Sequence, residues 1–218
     1  MAHPLRTTIE DFVEGLKGFE RDFITQDRVR EFMQATQLSA QELKPYVNFR
    51  DEYYTRNLVY RDALFEMMVI CWKSGQKTPV HTHNGQLGWM TIAQGEVAVH
   101  NYKYVACNCP ERQNVVGLDC LGGASHIELE RLTTEVCSDH SGVSTVDKLQ
   151  SIHQIENADP SKAGVISVHV YSLPFDSCIS FDLEKQHCCR KSLSYFSRYG
   201  KVEGAVEHSH SGELRVIG

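Results

Sequence analysis

Between Thr7 and Phe23 the apolar residues Ile9, Phe12, Val13, Leu16 and Phe19 recur at intervals of three and four, the spacing of one helix face. Thr7 and Glu10 stand three apart at the start of this run, as a candidate capping box. A second stripe within Arg28 to Thr36 places Val29, Phe32 and Met33 together, and Ser39 with Glu42 repeats the capping pattern. Pro45 predicts the end of the helical region, since the residue before a proline is pushed out of helical geometry.

Beyond Tyr54 the texture changes. Short runs rich in β-branched and aromatic residues follow one another, at Phe65 to Trp72, Gly88 to Ala93, Glu96 to Tyr102, Val165 to Tyr171 and Ser177 to Phe181. Gly75, Gly95 and Pro174 punctuate them. Many short strands with turn signals and no alternating helices predict an all-β-dominated fold, an antiparallel sandwich or barrel of which the jelly roll is one form, behind an N-terminal helical cap. The stretch from Lys103 to Gln150 is the least regular, and weaker strands are expected to cross it. There is no internal repeat.

A chain of 218 residues with 41% hydrophobic and 23% charged side chains can bury one substantial core. The reading is therefore a single domain over 1–218: a helical cap to 50, a barrel over 51–185 and a C-terminal extension over 186–218. A net charge of -6 without a long basic run argues against a nucleic-acid partner and leaves a small molecule as the expected one. Neither a membrane-length apolar stretch nor a signal-like N-terminus is present, so a cytoplasmic protein with no membrane partner is expected. The eight cysteines are accordingly expected to remain thiols.

The chemistry begins at His81 and His83. Two residues apart on a strand, both imidazoles project to one side and can share a metal ion. Such a pair taken alone is more often a pair of surface or core histidines. The flanks change the balance: Gly75 precedes His81 by five intervening residues, Gly95 follows, and His153 with Asn157 repeats a His, three residues, Asn pattern. Together these resemble the two motifs of the cupins, except that Gly88 stands where most cupins place a glutamate ligand. Three neutral histidines without a carboxylate leave a metal more positive, which favours an incoming thiolate.

Ser167, His169 and Tyr171 alternate along a strand and share a face. In isolation such a pattern is usually a hydrogen-bonded cluster. Upstream stands Tyr54-Thr55-Arg56-Asn57-Leu58-Val59. A planar guanidinium can pair a carboxylate through two hydrogen bonds, whereas an isolated arginine is usually a solvated surface residue. With Cys71-Trp72 and Pro174-Phe175-Asp176-Ser177-Cys178, the ordered set resembles the cysteine dioxygenases from about Tyr53 to Phe181.

That resemblance implies a cupin-type jelly roll, Fe(2+) held by His81, His83 and His153, and L-cysteine and O2 as the small-molecule partners. It implies Arg56 and Tyr54 as substrate-binding residues and Tyr171, oriented by His169 and Ser167, as the catalytic group. Oligomeric state stays open. The alternatives are another thiol carboxylate such as 3-mercaptopropionate, in whose branch the arginine is commonly glutamine, or a non-catalytic metal-binding cupin sensor. Two departures stand out. Animal members carry at the Gly88 position a cysteine that crosslinks to the tyrosine, which Gly88 cannot do. Leu173 stands where several members have a proline, and a cis peptide there would cost about 3 kcal/mol without it. Cys107, Cys109 and Cys120 are read as unligated thiols rather than a zinc site, and His208 and His210 as a solvated tail.

Overall fold

The computed structural model describes residues 5–108, 126–147, 152–159 and 164–203. Strand β1 (Leu5–Arg6) pairs in parallel with β2 (Thr36–Gln37), and helices α1 (Ile9–Lys17) and α2 (Gln26–Ala35) lie between them. A single turn of helix, α3 (Ala40–Leu43), follows. The first helix is shorter than its apolar pattern suggests. It is capped by Thr8, whose hydroxyl accepts from the Asp11 N–H at 3.1 Å, one residue later than the Thr7 expectation, and Gly18 closes it. Thr25 caps α2 and Ser39 caps α3 in the same manner. Pro45 sits inside a 3-10 turn, Lys44–Tyr46, at a starting position where its missing N–H costs nothing.

Thirteen further strands follow: β3 (Thr55–Arg61), β4 (Phe65–Trp72), β5 (Val80–His81), β6 (Gly88–Gln94), β7 (Glu96–Cys107), β8 (Ile127–Ser138) and β9 (Ser144–Val146); then β10 (Ile152–Glu156), β11 (Val165–Ser172), β12 (Ser177–Asp182), β13 (His187–Ser192), β14 (Ser197–Arg198) and β15 (Lys201–Val202). They form a six-stranded sheet, β13-β12-β5-β10-β7-β8, and a seven-stranded one, β15-β14-β3-β4-β11-β6-β9. Pairing within these two is antiparallel except between β14 and β3. The irregular stretch after Lys103 proves to be the long β7–β8 hairpin, bulged at two points, with its connection outside the described residues. The sheets also continue past residue 185, through β13, β14 and β15.

Why β4 reads as an apolar run broken only by Glu66 follows from its two covered faces, whereas β11 alternates, with Ile166, Val168 and Val170 on one face and Ser167, His169 and Tyr171 on the other. Phe65, Met67, Val69 and Cys71 of β4, with Ile166, Val168 and Val170 of β11, pack outward against Phe12, Leu16, Val29 and Met33 of the helical cap. Met68, Ile70 and Trp72 point inward, against Val97 and Val99 of β7 and Ile155 of β10 in the opposite sheet. Covered on both sides, β4 has no solvent-facing side to alternate. Each large side chain so buried contributes about 1.5–3 kcal/mol, which seats the cap on the barrel. The result is a cupin-type antiparallel β-barrel with N-terminal helices.

Candidate metal centre and substrate pocket

β5 is only two residues long, so His83 lies just beyond its end rather than on it as the spacing implied. The chain turns at Asn84 and Gly85, both at positive φ, and the Gln86 N–H donates to the His83 carbonyl at 2.9 Å. The imidazoles nonetheless converge. His153 enters from β10, directly across from His81, and the ligand atoms of His81, His83 and His153 all lie within 4.8 Å of one another. Gly95 follows at φ 79°, a left-handed position that closes the β6–β7 turn and that glycine takes without steric cost. Asn157 is wholly buried; its carbonyl accepts from the Gly75 N–H at 2.8 Å and its amide donates to the Trp72 carbonyl at 3.3 Å. The second-motif asparagine therefore ties down the loop that opens the first.

These histidines suit a metal ion. The His81 Nδ1–H donates to the Pro79 carbonyl at 3.0 Å, fixing the tautomer that leaves Nε2 as ligand. Both ring nitrogens of His153 are buried without a hydrogen bond, and metal ligation would satisfy one of them. Burial lowers the pKa of His81 to about 4 and that of His153 well below its ordinary value, so both are neutral donors near pH 7. His81, His83 and His153 are the residues that would hold one ion. No carboxylate belongs to the cluster.

Tyr54, Arg56, His81, His83, His169 and Tyr171 line one cavity, together with Phe175 and Cys178. Arg56 is 6% exposed, and its Nη1 donates to the Ser194 carbonyl at 3.2 Å. Tyr54 stacks on Trp72 with centroids 4.7 Å apart. Along β11, Ser167, His169 and Tyr171 form a hydrogen-bonded row, with Ser167 Oγ 2.9 Å from His169 Nε2 and His169 Nδ1 3.2 Å from the Tyr171 hydroxyl. Trp72 sets the direction of that row. Its indole can only donate, and it does so to Ser167 Oγ at 2.9 Å. The Ser167 proton then goes to His169 Nε2 in preference to the Ile70 carbonyl at 3.5 Å, the Nδ1–H goes to the Tyr171 oxygen, and the Tyr171 proton is left to point into the cavity. Burial pushes the Tyr54 phenol up to about 12 and Tyr171 higher still, against the pull of Arg56, so both stay protonated donors.

Gly88 faces Tyr171 across the β6–β11 register, and a Cβ on it would stand 3.0 Å from two ring carbons of Tyr171. At Leu173 the turn is made at φ 60° with no cis peptide bond among the described residues. The expectation that all cysteines are thiols is corrected at Cys188, which is disulfide-bonded; Cys71, Cys137, Cys178 and Cys189 carry free thiols. Cys188 is fully buried on β13, where contact with another part of the chain, invisible to a rule based on length and leader, decides its state. Cys109, Cys120, His208 and His210 lie outside the described residues. Sequence reasoning missed Glu66, Trp72 as the donor behind Ser167, and Tyr195. The signal for Glu66 was there: one charge in an otherwise apolar run.

Fold and site together define a cupin with a three-histidine, carboxylate-free candidate metal centre. The family described as "Cysteine dioxygenase type I" matches residues 4–184, and the chain belongs to it. Similar curated proteins include cysteine dioxygenase type 1 of Danio rerio, 27% identical over 89% of each chain, and of Homo sapiens, 25% identical over 88% of each. A solved protein with a double-stranded beta-helix domain from Klebsiella pneumoniae aligns at 16% identity and a TM-score of 0.38, covering 60% of this chain and 86% of its own.

Proposed function

We propose that the protein is an iron-dependent dioxygenase that oxidises the sulfur of L-cysteine with O2 to cysteine sulfinic acid. One observation carries this reading: His81 and His83, whose ligand atoms lie within 4.8 Å of each other and of that of His153, line the same cavity as Arg56 and Tyr171. Both atoms of O2 enter the product, the thiol sulfur loses four electrons and O2 gains them, so no other reductant is needed. Bound Fe(2+) would be held by the three histidines and would supply thiolate binding and oxygen activation.

The chain's own residues do the rest. Arg56 pairs the substrate carboxylate through two charge-assisted hydrogen bonds and so fixes which end of the amino acid meets the histidines. Tyr171 presents its hydroxyl proton to the reacting sulfur or oxygen, and the Trp72–Ser167–His169 row holds that proton in place. Tyr54 donates beside it. Phe175, packed edge-on against Tyr171 at 5.2 Å, helps exclude water from the sulfur.

The deciding experiment is product mass spectrometry. Iron-loaded protein in air is given L-cysteine, 3-mercaptopropionate and cysteamine. A 32 Da gain with cysteine as the preferred substrate is expected, and His153→Ala should lose both iron and oxygen uptake. Preference for 3-mercaptopropionate would move the substrate assignment, and iron binding with no oxygen uptake on any thiol would overturn the enzymatic reading in favour of a sensor.

A further inference from the structure

Glu66 is the charge that interrupts the β4 run. Its neighbours Phe65 and Met67 face the cap and Met68 faces the barrel, so alternation directs Glu66 inward, where it pairs in register with both Tyr171 and Arg61. The carboxylate is 1% exposed, with Arg56 Nη2 3.7 Å from one oxygen and Arg61 Nη1 3.2 Å from the other. Arg61 also holds Asp176 at 2.7 Å, and that carboxylate is 78% exposed. Arg56 is braced by the Ser194 carbonyl, its guanidinium 5.2 Å from the Tyr195 ring centre.

Burial raises the Glu66 pKa, against the Tyr195 hydrogen bond and the charges of Arg56 and Arg61; with Glu66 ionised, Asp176, Arg61, Glu66 and Arg56 form a row of alternating charge that is neutral before any ligand arrives. A buried guanidinium with no anion is costly, so Glu66 keeps the empty pocket stable. Its 3.7 Å approach is longer than a direct charge-assisted hydrogen bond, so the Glu66 contact is one that a closer carboxylate can outcompete. A second carboxylate on Arg56 gives the row an excess negative charge and must compete with the first.

We propose that Glu66 is the resident counter-ion of Arg56, a positioning residue that an incoming thiol carboxylate displaces from it, and that Glu66 thereby sets how tightly anionic substrates bind. This rests on Arg56 being the carboxylate anchor. Arg61 tunes the competition from the far side: its positive charge, itself shared with Asp176, draws Glu66 away from Arg56.

The test compares KM and kcat for cysteine and cysteamine, the latter lacking a carboxylate, in the iron-loaded parent, Glu66→Gln, Arg61→Met and Arg56→Ala. Cysteine-induced shifts in melting temperature are measured in parallel under nitrogen. Glu66→Gln keeps shape and removes charge. It should lower the KM for cysteine roughly tenfold with kcat little changed and enlarge the cysteine-induced shift, leaving the KM for cysteamine unchanged or raised. Arg61→Met should move the KM for cysteine in the opposite direction, because Glu66 is then committed to Arg56. A merely structural Glu66 would lower the melting temperature and harm both thiols alike, leaving their KM ratio as in the parent, and that result overturns the proposal. Should Glu66→Gln fail to fold, Arg61→Met decides: a raised cysteine-to-cysteamine KM ratio supports the proposal and an unchanged one overturns it. If Arg56→Ala leaves the ratio unchanged, the anchor reading itself falls. If Arg56→Ala raises the ratio while the other two variants do not move it, the counter-ion proposal alone falls.

Discussion

At the scale of single residues, Arg56 makes the sharpest claim. A bidentate, charge-assisted contact contributes about 1.5–3 kcal/mol, so Arg56→Ala should cut kcat/KM for cysteine by roughly 10- to 150-fold. Cysteamine should lose far less, and equal losses with both thiols would mean general pocket damage. The arginine was legible because its segment stands out in the sequence. Its partners were not: Ser194 is 138 positions away in the chain, and no local pattern links them. His169 was legible as one of three alternating residues, but the donor that orients its row, Trp72, comes from a different strand.

Between elements, the contact that matters is β6 against β11. Gly88 lies across from Tyr171, and an added Cβ would come within 2.7 Å of Val146 Cγ2 on β9 as well as 3.0 Å of the tyrosine ring. Overpacking of this kind costs about 1–3 kcal/mol. Gly88→Ala should therefore lower stability to urea by that amount and reduce turnover by displacing Tyr171. Trimming the other side with Val146→Ala should restore much of the stability, because β9 is a three-residue edge strand that can yield. Unchanged stability in Gly88→Ala would show that β9 already gives way. From sequence alone Gly88 was notable only as a missing ligand or crosslink. Its packing role needed the register, which three strands set jointly.

For the whole molecule, the buried neutral histidines tie folding to pH. Burial lowers His169 to a pKa of about 3, against an unfolded value near 6.5. Above about 6.5 neither state binds its proton and the stabilisation is complete; as pH falls towards 3 only the unfolded chain takes it up, and the stabilisation is lost. Metal-free protein should lose stability in urea below pH 6.5. In His169→Gln that slope should be shallower by about 1.4 kcal/mol per pH unit, and parallel slopes would mean that His169 is not held neutral. The sequence by itself determined the strand at Phe65–Trp72, the helical cap and the candidate set of three histidines that the fold brings together, because periodicity and motif spacing are properties of neighbouring residues. Only the tertiary structure decided that His83 reaches the cluster from a turn, that Lys103–Gln150 contains a long hairpin, that Cys188 is oxidised and that Glu66 pairs with Arg56. Each of these depends on which strands the folded barrel brings within a few ångströms, and such proximity leaves no trace in the order of residues along one strand.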